Sequence, residues 1–326
     1  MDLKEKKPDR ILTKKVLEDF SILNRNDDVS EVRRSLDQLA CFTQIEDDAA
    51  ELISNESVFD LRDDFLNFSG LKFLSDTASE HIGKIKAAGL DLSGLESVSN
   101  RSAANLSRYY GGFIPGHLSL SGLKFLSDAV AERLSRSGAS LNLDGLTSIS
   151  DAAAASLSKS QGGLSLNGLI SLSDFAAENF FTSPSKYLSL DGLTSLSDSA
   201  SESLSKCRAW HLSLNGLKSL SDTTARGLSQ CDTGALYLDG LTSLSDAAAE
   251  NLSKTKKCHF LSLNGLTDLS GGAAESFSKF SGSQLHLRGL TSLSDSAAES
   301  LSKLIGACFH RSLQIISLQS DAQPNG

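Results

Sequence analysis

"LSLNGLKSLSD" begins at Leu212, "LYLDGLTSLSDAAAE" at Leu236 and "LHLRGLTSLSDSAAE" at Leu285. The same template runs through most of the chain. Numbered from the first leucine of L-x-L-x-G-L, units start at Leu66, Leu90, Leu118, Leu141, Leu164, Leu188, Leu212, Leu236, Leu261 and Leu285. The spacings are 24, 28, 23, 23, 24, 24, 24, 25 and 24 residues. Each unit must repeat one local structure and can cover its apolar flanks only with its neighbours, so the units have to stack. A weaker unit, "DQLACFTQIEDDAAELI", precedes them and places Leu39, Phe42, Ile45, Asp47 and Ile53 in register from Asp37. After the last full unit, "SLQIISL" around Leu313 and Ile315 reads as a closing strand.

Two periods share each unit. Leucines at positions 1 and 3 alternate with polar positions 2 and 4, the pattern of a short strand buried on one face. Position 5 is glycine in every strong unit, from Gly70 to Gly289, which fits either a turn with positive φ or a close backbone approach. Position 10 is serine in all of them, and position 11 is aspartate except at Asn100 and Gly271. Ser-Asp ahead of an alanine-rich run predicts a helix start, with a side-chain oxygen on free amides and an acid at the positive dipole end. The helix should bury positions 13, 14 and 17, as at Ala248, Ala249 and Leu252.

The motif L-x-L-x-G-L-x-x-L-S-D-x-A-A-x-x-L resembles the leucine-rich repeat, in particular its cysteine-containing, F-box-associated subclass. Positions 1, 3, 9, 11 and 17 carry the resemblance. It implies an α/β fold, a right-handed leucine-rich-repeat solenoid or horseshoe of about 11 repeats, with a parallel concave sheet and outer helices. Two departures matter. Position 6, Asn or Cys in the family, is leucine throughout, so position-10 serine, position-4 Asx or water must satisfy the backbone amides that Asn would bond. Position 14 is mostly alanine, in keeping with a short unit. "PDRIL" near Pro8 faintly resembles an F-box start, but the pattern that should follow is missing and no F-box is recognised.

Position 4 alternates: Asp144, Asn167, Asp191, Asn215, Asp239, Asn264, then Arg288. This relieves carboxylate repulsion across a parallel ladder and suggests growth by duplication of a two-unit block. A metal-binding column is the lesser alternative.

A net charge of −9 and a pI near 5.2 argue against a general nucleic-acid or anionic-membrane binder. No stretch has signal-peptide or membrane-span character, so a soluble cytoplasmic protein is expected. Five cysteines without a CxxC pair point to reduced, buried thiols, with Cys207 and Cys231 at position 20 of adjacent units. No nucleophile elbow, phosphate-binding loop, dinucleotide fingerprint or zinc-spaced Cys/His set occurs, so neither enzyme activity nor a cofactor is expected.

Binding candidates are the residues that interrupt the serine background. Positions 0, 2 and 4 should face outward from the strands. From the Leu188 unit onward they include Tyr187, His211, Tyr237, Phe260, His286 and Arg288. Aromatic rings beside arginine on a solvent face have the composition of an interaction hot spot. Trp210 stands just before His211, where it either points inward or covers a gap between turns. A second candidate is the long connector "RYYGGFIPGH", whose Tyr109, Tyr110 and Phe113 would form an aromatic lip if it is not a plain bulged loop.

The expected organisation is a charged helical cap over 1–36, with helix at "RILTKKVLEDF" and "SEVRRSLDQL", a repeat solenoid over 37–311, and a closing strand with a polar tail over 312–326. The expected function is a monomeric scaffold binding an unidentified protein or peptide on its concave face. The rival is a structural spacer or self-assembly module.

Overall fold

A computed structural model describes residues 10–19, 38–55, 62–112, 115–255, 257–306 and 312–314. The chain divides into two compact units: Met1–Leu169 with Ser183–Leu188, and Ile170–Thr182 with Ser189–Gly326.

In the first unit, β1 (Ile11–Leu12) pairs in parallel with β2 (Gln44–Ile45). A second parallel ladder joins β3 (Phe65–Asn67), β4 (Gly89–Asp91), β5 (His117–Ser119), β6 (Ser140–Asn142) and β7 (Leu164–Ser165). Position-1 leucines are in register, Leu66 opposite Leu90, Leu90 opposite Leu118. The division between units falls within β8 (Tyr187–Ser189). The second unit contains β9 (His211–Ser213), β10 (Ala235–Tyr237), β11 (Phe260–Ser262), β12 (Gln284–His286) and β13 (Ser312–Gln314), again parallel and in register.

A helix follows each strand of the strong units from β3 to β12. These helices begin at position 11 as expected, for example Asp76–Ile82, Asp151–Leu157 and Asp246–Ser253. Leucines at positions 1, 3 and 6 and the helix residues at 13, 14 and 17 form the core: Leu236, Leu238, Leu241, Ala248, Ala249 and Leu252 are fully buried. Alanine at 13 and 14 leaves no bulk between helix and strand, which is why so short a unit closes.

The position-10 serine has two roles. Its hydroxyl oxygen accepts the N–H of position 13, as Ser75 does from Ala78 at 2.9 Å. The same hydroxyl donates to the position-11 aspartate one unit earlier: Ser75 to Asp47 and Ser99 to Asp76, both at 2.5 Å, in the first unit, and Ser197 to Asp174 at 2.5 Å in the second. The Ser99 hydroxyl, and after it that of Ser102, which also donates to Asp76, hold the Asp76 carboxyl below the usual range.

Close approach, not a left-handed turn, explains the position-5 glycine. Among the described residues only Gly111 has a positive φ, 111°. A Cβ on Gly94 would lie 2.2 Å from the Ser69 carbonyl oxygen, and one on Gly265 would lie 2.1 Å from that of Asp239. The glycine lets each turn nest on the turn before it.

Two expectations change at the N-terminal end. "RILTKKVLEDF" is not one helix: β1 comes first, then a helix over Lys14–Asp19. The β-branched Ile11 pairs with the 44–45 segment because Arg10 carbonyl oxygen accepts the Thr43 N–H at 2.9 Å. In the weak unit Leu39, Phe42, Ile45 and Ile53 are buried in the expected register, but a 3-10 turn over Gln38–Cys41 takes the place of the strand. The helix expected at "SEVRRSLDQL" lies outside the described residues, except for its last two positions.

Candidate functional site

Two devices replace the missing position-6 Asn. In early units an Asx at position 2 accepts its own unit's position-4 N–H: Ser69 N–H to Asn67 Oδ1 at 3.0 Å and Ser93 N–H to Asp91 Oδ1 at 2.8 Å. Later units move the Asx to position 4, where it accepts from the following unit. In the second unit Asn215 N–H donates to Asp191 Oδ1 at 2.9 Å and Asp239 N–H to Asn215 Oδ1 at 2.8 Å. Asn264 N–H then donates to Asp239 Oδ1 at 2.8 Å, and Arg288 N–H to Asn264 Oδ1 at 3.0 Å.

This spine explains the alternation beyond charge relief. Aspartate accepts a position-2 hydroxyl, Ser213 to Asp191 and Ser262 to Asp239, both at 2.6 Å. The intervening Asn215 also donates its amide N–H to Ser213 Oγ at 2.9 Å, which a carboxylate could not do.

Moving the Asx to position 4 frees position 2 for a ring, beside a position 0 that never held the Asx. His211 and Phe260 occupy position 0, Tyr237 and His286 position 2, and the sites opposite them hold Ala235, Ser213, Ser262 and Gln284. Rings therefore meet diagonally across the strands. His211 and Tyr237 stack at 6.3 Å between centroids with a 25° interplanar angle. Tyr237 and Phe260 follow at 5.1 Å, then Phe260 and His286 edge-on at 4.5 Å. Such offset and edge contacts are the favoured aromatic geometries. His211, Tyr237 and Phe260 are half-buried and Arg288 is exposed.

His286 closes the row. It is only 9% exposed, and its Nε2 atom has no hydrogen-bond partner among the described residues. Burial pushes its imidazole pKa down, the Arg288 charge adds to that, and Asp239 opposes it.

Trp210 does not point inward. Its indole is 59% exposed and lies over Gly234, where a Cβ would come within 2.8 Å of the ring. It reaches His259 at 6.4 Å between centroids. The Trp210–His259 pair is a second short row at position −1, one residue before the strands. His259 shares the register of Trp210 two units on, a signal visible only once position −1 is counted as surface.

Tyr187 belongs to the first unit, 40% exposed. Tyr110, also in the first unit, is 55% exposed and covers Gly138. Tyr109 is a correction: it is fully buried, and its hydroxyl donates to the Ala87 carbonyl at 2.8 Å. The four extra residues of its connector let the chain turn back at Gly111, which drives Tyr109 into the core, where burial pushes its phenol pKa up. Phe113 lies outside the described residues.

Patterns not singled out in the sequence include two exposed phenylalanines of the first unit, Phe73 and Phe125, each within the hexapeptide L-K-F-L-S-D. Cys207, Cys231 and Cys258 are buried thiols of the second unit, and Cys231 Sγ lies 3.6 Å from the Cys207 carbonyl oxygen. Burial pushes the Cys258 thiol up to about 11. Among the described residues no group of three or more His, Cys, Asp or Glu could hold a metal ion, and no helix is long and apolar enough to cross a membrane.

In-register parallel strands, with a capped outer helix after each strand of the strong units, define an α/β leucine-rich-repeat solenoid. No family model and no curated protein sequence matches the chain. Solved leucine-rich-repeat structures do resemble it. An internalin from Listeria monocytogenes aligns at 17% identity and TM-score 0.37 over 92% of this chain and 93% of its own. Rad7, in the Rad7–Elc1 complex of yeast, aligns at 16% and 0.44 over 86% and 80%. The Toll–Spatzle complex of Drosophila aligns at 15% and 0.47 over 87% of this chain, which spans 41% of that longer one.

Proposed function

We propose that this chain is a non-enzymatic protein-interaction scaffold, and that the outward strand face of its second unit is the docking surface. The observation that carries this reading is the diagonal ring row His211–Tyr237–Phe260–His286, ending beside Arg288. Position 0 also carries a ring at Phe65, His117 and Tyr187, but position 2 elsewhere holds Asn67, Asp91, Ser119, Asn142 and Ser165, which satisfy the backbone equally well. Rings are not needed to build a strand here. Rigid half-buried rings offer contact area with little rotamer freedom to lose, and the solenoid has already ordered them. Kinship with the cysteine-containing repeat subclass, a cytoplasmic location and a monomeric state belong to the same proposal.

The test is a selection of random displayed peptides on the wild-type protein, followed by rebinding to a Tyr237→Ala/Phe260→Ala variant. Selected peptides should lose at least about tenfold in affinity on the variant, or about 1.4 kcal/mol. Undiminished binding would rule out the strand face as the docking surface. A second reading, a self-stacking spacer, draws on the serine-lined face of the first unit at Ser69, Ser93, Ser121 and Ser165. Scattering across a concentration series separates the two, since a stacking module lengthens and a receptor stays discrete.

A further inference from the structure

We propose that the occupant of this face is a basic, proline-rich segment in the polyproline II conformation, lying across the strands of the second unit. The inference rests on the reading of that face as a docking surface and adds the chemistry of what docks.

Strand pairing excludes one common mode. β10 and β11 are each paired on both sides, so no open edge exists there for a partner strand to extend the sheet by main-chain bonds. A partner must be read by side chains alone. That favours a conformation with no backbone bonds to lose, and polyproline II has none.

The spacing agrees. Rings occupy position 0 in the Leu212 and Leu261 units and position 2 in the Leu236 and Leu285 units, so the surface repeats every two strands. At about 4.8 Å per strand the repeat is about 9.6 Å. Three residues of polyproline II advance about 9.3 Å. An extended β-peptide repeats every two residues at about 6.7 Å and falls out of step within one block.

Relief and charge agree as well. Ser213, Ala235 and Ser262 keep the sites opposite the rings small, and the half-buried rings of Tyr237 and Phe260 form an aromatic wall on whose outer face a pyrrolidine ring can stack. The indole N–H of Trp210 is on an exposed ring beside the row and can donate to the carbonyls that a polyproline II chain leaves open. Charge selects the third residue. Asp191 and Asp239 recur with the same two-strand period, and their Oδ1 atoms accept from neutral donors: Ser213 and Asn215 on Asp191, Ser262 and Asn264 on Asp239. Carboxylates at this period, on a chain of net charge −9, suit a partner with a basic residue at every turn of its helix.

The experiment titrates the full chain with a peptide of repeated Pro-Pro-Arg triplets and follows the emission of Trp210, the one tryptophan. Repeated Gly-Gly-Arg of equal length and charge is the control, and both are repeated on the Tyr237→Ala/Phe260→Ala variant. The expected result is saturable binding of the proline peptide, at least about tenfold tighter than the glycine peptide because its conformation is already set, and lost on the variant. Equal affinity for the two peptides, lost on the variant, would overturn the polyproline II occupant while the docking face stands. The polyproline II occupant also falls if the proline peptide fails to bind while proline-free display-selected peptides bind in a Tyr237-dependent way. Binding of every peptide unchanged on the variant would overturn both the occupant and the docking face.

Discussion

Two glycines of one unit should respond oppositely to a side chain. Gly265 does not have a positive φ, so alanine suits its backbone. If contact were no obstacle, Gly265→Ala would stabilise by about 0.4–1 kcal/mol through the unfolded chain. Contact is the obstacle: the new Cβ would lie 2.1 Å from the Asp239 oxygen, against about 3.4 Å for ordinary contact, so the turns must part by 3.4 − 2.1 = 1.3 Å. The same opening takes the Asn264 N–H to Asp239 bond from 2.8 to about 4.1 Å, past bonding range. Overpacking plus the lost bond puts the cost at about 2–4 kcal/mol. Gly271 stands where other helices have aspartate, and a Cβ there meets only Ser296 Oγ, at 3.2 Å. Gly271→Asp restores an acid at the helix start and an acceptor for Ser294, whose hydroxyl now pairs with Ser296 at 3.1 Å. It should stabilise by about 0.5–1 kcal/mol. Urea midpoints by circular dichroism give the signs, and hydrogen exchange over 239–265 localises the first. An unchanged or raised midpoint for Gly265→Ala would refute nesting as the reason for the glycine.

Three further expectations concern single side chains. The His286 pKa is lowered in the fold, so above about 6.5 the residue is neutral in both states and contributes nothing to pH dependence. Below that value the unfolded chain takes up the proton first and stability falls as pH drops. His286→Phe should flatten the urea midpoint against pH between about 6.5 and 5, and an unaltered slope would contradict this. Cys207, Cys231 and Cys258 should resist a thiol alkylating reagent until unfolding while exposed Cys41 reacts, as read cysteine by cysteine by mass spectrometry. Tyr109→Phe should cost about 1–2 kcal/mol in thermal unfolding by stranding the Ala87 carbonyl, and Tyr110→Phe should cost nothing measurable.

What is legible in the sequence is whatever the unit repeats. Leucine at 1, 3 and 6, the Ser-Asp cap and the alanine pair act within one unit or between identical neighbours, so their period predicts their burial. The rings at 211, 237 and 260 are legible as surface because they fall between the leucines, whereas the burial of His286, on the same face, is not legible. Nor are the diagonal contacts, since those need the strand register. Tyr109 escapes the pattern because its connector breaks the period, and there alternation says nothing about which of two adjacent tyrosines turns inward. Gly234 and Trp210 form a pair across strands that neither residue signals alone.

The two-strand period of rings and Asx residues constrains how such a chain can change its length. Excising residues 235–259 would set His211 directly beside Phe260 and Asn215 beside Asn264, leaving the Ser262 hydroxyl without its carboxylate. Excising 236–284 would instead join Leu212 to Leu285 with the diagonal pattern of rings intact. Gain or loss by pairs is silent at the seam, whereas an odd step leaves a scar, so homologues of differing length should differ here by even numbers of units.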